Sequence, residues 1–485
     1  MSNKSGMKEF RELEAIPKMG RYFFPWGGFR LDTLNPPCDM NVIVIISDTL
    51  RRDHVGCYGG LAQTPALDRF ARDAAIFENA FTSSFPTLPN RTDHFTGKYS
   101  FLWRGWSPLP TNEVVLAETL GRYGVLSMLI GDTYHLFRDN YFYSRGFTGW
   151  YWNRGQEGDR LTTDMDIPIH YPCDKEKIRW WKRGRYENII RNRYHRRVET
   201  DWFAPGTVTK AMDWLDHNYK HKSFLLWIDL FDPHEPWDPP DHFIELYDSG
   251  DDLEQDCDYP VTGSVDLYSS RELARIRARY KAEVTMVDKW FGRLLEKIDE
   301  LQLHDNTMII FTTDHGHYFG YPGDEDLIGK PIGPKGLLLP IIHIPLLVRM
   351  PDGTGSGERI KGIVQPVDTF STIMDFLNLP PVQGSHGQSF LPLLEENCAE
   401  YREYGLSGCV DRVAHFTNQQ WGYTCFQKGP SWKPAMLFNL KKDPTQQYNI
   451  IDREPKLADT LYQKFIDYLN KIKAPSEQVE KYVPY

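Results

Sequence analysis

The run Asn41-Val-Ile-Val-Ile-Ile46 is β-branched at five consecutive positions and is followed at once by Ser47-Asp48-Thr49. A segment with no polar face to turn to water reads as a strand buried on both sides, the kind found in a parallel sheet covered by helices. The polar residues after it would then sit at the carboxyl edge of that sheet, where open α/β folds bind their ligands. The pattern recurs along the chain. Thr64-Pro65 opens a helix with Leu67, Phe70, Ala71 and Ala74 on one face. A helix near 113–123 precedes a strand near 125–130, and a helix near 206–219 precedes a strand at 224–230. A long amphipathic helix at about 271–301 then leads to strands at 308–312 and 341–348. Strands alternating with helices predict a large, mostly parallel α/β sheet flanked on both faces.

After residue 394 the stretches shorten and turn residues separate them (Gly408, Asn418, Gly422, Lys428-Gly-Pro430), with a helix expected at 455–472. The chain therefore divides into a catalytic α/β domain over 1–394 and a smaller C-terminal α+β subdomain over 395–485. A chain of 485 residues, 41% hydrophobic and 25% charged, suits that size and excludes disordered and coiled-coil classes. Its longest apolar runs fall short of the ~20 residues that span a bilayer. A net charge of −10 argues against nucleic acid as a partner. The polar opening Met1-Ser-Asn-Lys-Ser-Gly-Met-Lys-Glu reads as cytoplasmic. Seven scattered cysteines, with no C-x-x-C pair, suggest neither a disulfide framework nor a zinc knuckle. One segment runs against the acidity. Residues 175–197 hold ten Lys and Arg against Glu176 and Glu187, interleaved with Trp180, Trp181, Tyr186 and Tyr194. This basic insertion reads either as a rim that attracts an anionic substrate or as a solvated surface or subunit contact, compatible with a homo-oligomer.

Three distant segments place acids, imidazoles or a hydroxyl where strands give way to loops: 47–51, 82–97 and 312–317. Asp48 and the pair Asp314-His315 could converge on one metal ion. An Asp after a strand is often only a helix cap. Asp314-His-Gly-His317 after Met308-Ile-Ile-Phe is harder to treat that way, because titratable groups at a buried strand end need partners.

The middle segment, Thr82-Ser-Ser-Phe-Pro-Thr87-Leu-Pro89-Asn90-Arg91 followed by Thr96-Gly97-Lys98-Tyr99, resembles the C/S-x-P-S/A-R motif and T-G-x-Y of the sulfatase family in the alkaline phosphatase superfamily. Ser47-Asp-Thr-Leu-Arg51, Gly56-Cys-Tyr-Gly59, Asp232-Pro-His234-Glu-Pro236, Asp314-His-Gly316 and Asp443-Pro444 fit the same family in order, and the likeness runs from about 41 to 469. The resemblance implies that Asp48, Thr87, Asp314 and His315 hold one divalent metal, that Thr87 and Arg91 act on the ester, and that His234 serves the leaving group. It implies substrate contacts at Asn90 and His135, and a lysine near the substrate at Lys335, with Lys330 as competitor.

Two departures bear on chemistry. Sulfatases convert the motif's Cys or Ser to formylglycine, and Thr87 cannot become an aldehyde. Phosphothreonine, by contrast, is open to in-line attack by water, and Thr87-x-Pro89-Asn90 also resembles the superfamily's phosphodiesterases and phosphonate hydrolases. The ligand set loses one carboxylate, at Thr49, and gains the imidazole of His315, which favours Mn²⁺, then Zn²⁺ or Fe²⁺, over Ca²⁺. The expectation is a hydrolase of phosphodiesters or phosphonate monoesters, with a small anionic ester, on a glycan or lipid headgroup, as substrate. The alternatives are a sulfatase working without formylglycine and an inactive scaffold that binds anionic glycans.

Overall fold

The computed structural model describes residues 38–331, 337–395, 401–410, 412–428 and 435–483. An eight-stranded sheet runs through it in the order Arg359–Val364, Ala75–Ala80, Leu346–Arg349, Thr307–Thr312, Asn41–Ser47, Phe224–Leu230, Leu126–Gly131, Gly149–Trp152. Only Leu346–Arg349 is antiparallel to its neighbours. The β-branched strand Asn41–Ser47 lies inside, in register Ile46↔Thr312 on one side and Ile46↔Asp229 on the other. Its side chains alternate between two cores. Ile43 and Ile45 join one apolar cluster, and Val42, Val44 and Ile46 join the other. This two-sided burial is why the run carries no polar face.

The helix Ser270–Glu300 covers the first face. A capping box fixes its start, with Glu272 N–H donating to Ser269 Oγ and Ser269 N–H to Glu272 Oε2. Ile276, Tyr280, Val284, Val287, Phe291, Leu294 and Ile298 recur at intervals of three and four and are all buried in that cluster. Thr87–Thr96, Leu116–Arg122 and Val367–Phe376 cover the second face. The single strand expected over 341–348 is two elements: a helical turn at Leu339–Ile342, then the strand Leu346–Arg349. Pro345 between them has no N–H to give a ladder, so the strand begins after it. The helix expected near 113–123 starts later, at Leu116.

The C-terminal part is a four-stranded antiparallel sheet in the order Gly405–Cys409, Val413–Thr417, Trp421–Phe426, Met436–Asn439, backed by the helix Pro455–Lys471. Its edge strand is tied to the main domain just ahead of Thr87. Phe85 N–H donates to Gly408 O at 2.9 Å, and Gly408 N–H to Ser83 O at 2.7 Å. Two domains thus fix the backbone that enters the helix Thr87–Thr96.

Candidate active site

Register brings the acids together. The strands ending at Ser47, Leu230, Thr312 and Gly131 stop at one edge, and Asp48, Asp229, Asp314 and Asp132 lie there fully buried. One ligand atom each from Asp48, Asp314 and His315 falls within 4.8 Å of the others. His315 donates Nδ1–H to Gly316 O at 2.9 Å, which leaves a lone pair on Nε2. That Nε2 is buried and has no hydrogen-bond partner, as is Asp48 Oδ2. Burial and the neighbouring Asp314 push the Asp48 carboxyl well above the usual range. Burial acts the same way on Asp314, but His315 and Arg91 outweigh it and hold that carboxyl below the usual range. Burial brings His315 down to about 4. Two carboxylates and a neutral imidazole with a free lone pair fit a divalent cation of mixed N/O preference.

Thr49 departs from ordinary backbone geometry, with φ +65° at a β-branched residue. Its groups are all held. Its N–H donates to Asp314 Oδ1 at 3.0 Å, its hydroxyl to Asp48 Oδ1 at 2.7 Å, and its carbonyl accepts Tyr280 O–H at 2.9 Å. The residue that replaces a carboxylate in the family pattern orients both remaining ones.

Thr87 is the first residue of the helix Thr87–Thr96 and is 3% exposed, with no hydrogen bond from its hydroxyl to any described residue. One turn later, on the same face, Arg91 donates to Asp314 Oδ2 and lies 3.1 Å from Asp48 Oδ2. Its other edge makes a fork with Asp229, Nε to Oδ2 at 3.2 Å and Nη2 to Oδ1 at 2.9 Å. Phe85, on the other side of Thr87, packs its ring 4.9 Å from that of His315. Thr87 is thus bracketed by residues that touch the ligands, at a helix N-terminus whose dipole favours an anion.

Across the site His234 donates Nδ1–H to Glu235 O at 2.5 Å and stacks on Phe231 at 4.0 Å. Burial brings it down to about 3, so without a bound anion Nε2 is an acceptor. Glu235, 1% exposed, takes Arg179 on Oε1 and Lys330 Nζ on Oε2 at 2.8 Å, with His317 Nε2 3.6 Å away. Burial works against its charge, but His234, Lys330, Arg179 and His317 together hold it well below the usual range. Lys330 also donates to Thr49 Oγ1 at 3.3 Å. Arg179, Glu235, Lys330, Thr49 and Asp48 therefore form one continuous line of contacts into the ligand corner.

Other expected residues fall differently. Lys335 lies outside the described residues, and the lysine seen at the site is Lys330. Asn90 was expected to contact the substrate. Its amide hydrogens instead go to Thr82 Oγ1 at 2.9 Å and Asp314 O at 3.2 Å, and the atom left without a partner is the acceptor Oδ1. His135 is paired with buried Glu157 at 2.8 Å and meets exposed Trp106 edge-on at 4.7 Å. Asp229, Glu235 and Arg179 carry no expectation from sequence. Asp229 had a signal, as the one acid inside the apolar run Phe224-Leu-Leu-Trp-Ile-Asp-Leu230.

The site thus combines a buried corner that could hold a cation, a hydroxyl on a helix N-terminus beside it, and His234 and Lys330 on either side of Glu235. Residues 40–379 match the Sulfatase family, and residues 337–474 match the description N-sulphoglucosamine sulphohydrolase, C-terminal. The chain belongs to the sulfatase family. It is similar to an arylsulfatase of Clostridium perfringens, 24% identical over 89% of this chain and 93% of the relative. It is also similar to arylsulfatase K of Homo sapiens, 24% identical over 91% and 84%. Among solved structures, the phosphonate monoester hydrolase of Agrobacterium radiobacter superposes with a TM-score of 0.72 at 20% identity, covering 90% of this chain and 97% of that one. A protein solved with its substrate D-glucosamine-2-N,6-O-disulfate superposes at 0.70 and 19%, covering 90% and 99%. No described helix is long and apolar enough to cross a membrane.

Proposed function

We propose that this sulfatase-family enzyme hydrolyses singly charged phosphoryl esters, phosphodiesters or phosphonate monoesters, through Thr87 and one divalent metal ion. The observation that carries the reading is the unengaged hydroxyl of Thr87 on the first turn of its helix, one turn before an arginine that contacts both ligand carboxylates. Threonine supplies an alkoxide nucleophile but no aldehyde, so the covalent chemistry open to it is phosphoryl transfer.

Asp48, Asp314, His315 and the Thr87 oxygen would hold the ion, with manganese preferred, zinc or iron next and calcium less suited. Such an ion, when bound, lowers the pKa of the Thr87 hydroxyl and offsets charge on the ester. Thr87 Oγ1, its proton released to solvent, then attacks phosphorus, forming the Thr–O–P bond as the P–O bond to the alcohol breaks. Arg91, fixed by Asp229, and Lys330, fixed by Glu235, face the charge that develops on the phosphoryl oxygens. His234 gives the leaving alkoxide a proton from Nε2, since an anion bound beside the ring raises its proton affinity. Water next hydrolyses the phosphothreonine. A single negative charge on the ester suits a site where a His-Lys pair stands in place of a second ion.

A second reading, hydrolysis of sulfate esters without formylglycine, is favoured by the names of the arylsulfatase relatives. The presence of Asp48, Asp314, His315, Arg91 and His234 together speaks against an inactive scaffold. One assay separates the readings. The manganese-loaded protein is given an aryl phosphodiester, a phosphonate monoester, a phosphate monoester and a sulfate ester side by side. Faster turnover of the first two supports the proposal, and faster turnover of the sulfate ester replaces it with the second reading.

A further inference from the structure

The basic insertion does two different things with its charge. Half of its ten cations pair with a carboxylate within the fold. Lys177 pairs with Glu272 at 2.6 Å, Arg193 with Asp238 at 2.9 Å and Asp258 at 3.2 Å, and Arg196 with Asp238 at 2.7 Å. Around Trp180 the pattern changes. The guanidinium carbons of Arg179, Arg183 and Arg185 lie 5.2, 4.7 and 4.9 Å from the Trp180 ring centroid. Arg179 has the carboxylate of Glu235. The guanidiniums of Arg183 and Arg185 have no carboxylate or other hydrogen-bond partner among the described residues. Trp180 itself sits at φ +63°, a conformation a bulky aromatic rarely adopts, and its buried indole N–H has no partner.

Arg179 connects this cluster to the candidate active site. Arg179 N–H donates to Tyr259 O at 2.8 Å, and Tyr259 O–H reaches Glu157 at 3.4 Å, the carboxylate that holds His135. Arg179 leads through Glu235 and Lys330 to the ligand corner. Guanidiniums gathered on one indole repel one another, and stacking leaves their N–H edges free to make forked bonds to an oxyanion. We propose that Arg183 and Arg185, fanned over Trp180 beside Arg179, form a subsite for a second anionic group, a carboxylate or sulfate, on the molecule that carries the scissile ester. The inference rests on the ester-hydrolase reading above and specifies its substrate as a polyanion, of the kind a charged sugar provides.

The test uses a sugar phosphodiester bearing a uronate carboxylate, titrated calorimetrically into the full chain carrying Thr87→Ala so that nothing is turned over. Adding Arg183→Ala and Arg185→Ala should weaken its binding about tenfold or more, the scale of one lost charge-assisted contact. Arg183→Lys with Arg185→Lys should fall between, since charge is kept but the stacked fork is lost. In the chain with Thr87 intact, the same Ala pair should leave kcat and KM for a small aryl ester unchanged. Equal affinity with and without the two arginines, or no binding by the parent, overturns the subsite. Loss of small-ester turnover also overturns it, because the arginines would then serve the reacting centre. Failure of the hydrolase reading shows separately, as absence of turnover of every small ester by the metal-loaded parent.

Discussion

The two corners of the site hold charge in opposite ways. In the ligand corner Asp48 and Asp314 face each other with His315 neutral, and burial with mutual repulsion raises Asp48. There Arg91 contacts both carboxylates, and the proposed function completes the corner with a metal ion. In the opposite corner one carboxylate, Glu235, stands among Arg179, Lys330, His234 and His317. That corner is cationic, self-contained and needs no ion. The same degree of burial thus leaves a corner that could hold a metal ion where acids outnumber bases, and a fixed electrostatic clamp where bases outnumber acids. Thr49 joins the two, accepting from Lys330 and donating to Asp48.

The largest effect should come from emptying the first corner. Chelation should abolish turnover, and elemental analysis of the active protein should find about one transition-metal ion per chain. An active protein holding only calcium, or no metal, would break the contrast. Next in size, Thr87→Ala should keep the fold and the ligands Asp48, Asp314 and His315 yet lose on the order of 10³-fold in turnover. Thr87→Ser keeps the hydroxyl and should retain part of the rate. In the second corner, Lys330→Ala should lower kcat/KM by roughly 10²-fold, the scale of one transition-state donor, with metal content unchanged. The same change at Lys335 should do little, and a reversal of the two would move the clamp's cation to Lys335.

The smallest effect concerns stability. Burial holds His94 and His415 near 3 in the folded chain, against about 6.5 when unfolded. The unfolded chain therefore binds their protons first. Their contribution is fully present above about 6.5 and is lost as pH falls from there towards 3. Unfolding free energies from denaturant titrations at pH 7 and pH 5 should differ by on the order of 2 kcal/mol per histidine. A stability that is flat over that interval would show that these rings titrate freely.

Sequence made the first corner legible and left most of the second unread, for a physical reason. Asp48 and Asp314-His315 each follow an apolar strand, so sheet register alone brings them to one edge. Thr87 and Arg91 share a helix face at i and i+4, which spacing reveals. Glu235 sits inside the recognisable stretch Asp232-Pro-His-Glu-Pro236, yet its role comes from Arg179 and Lys330, 56 and 95 residues away in the chain. Partners brought by loops and insertions leave no periodic trace. The same holds for the basic insertion, whose spacing could not separate the paired Arg193 and Arg196 from the unpaired Arg183 and Arg185. Pro345 marks the strand start at Leu346, and the largely apolar stretch over 341–348 hid it.

The most direct test of the nucleophile is to catch it. The manganese-loaded protein is mixed with a phosphodiester, quenched in acid within the first turnovers, digested and analysed by mass spectrometry. The account predicts a phosphate-bearing adduct on the peptide containing Thr87, absent from Thr87→Ala. An unmodified peptide during turnover, together with near-parental rates for Thr87→Ala, would mean that water attacks the ester directly and would contradict the mechanism.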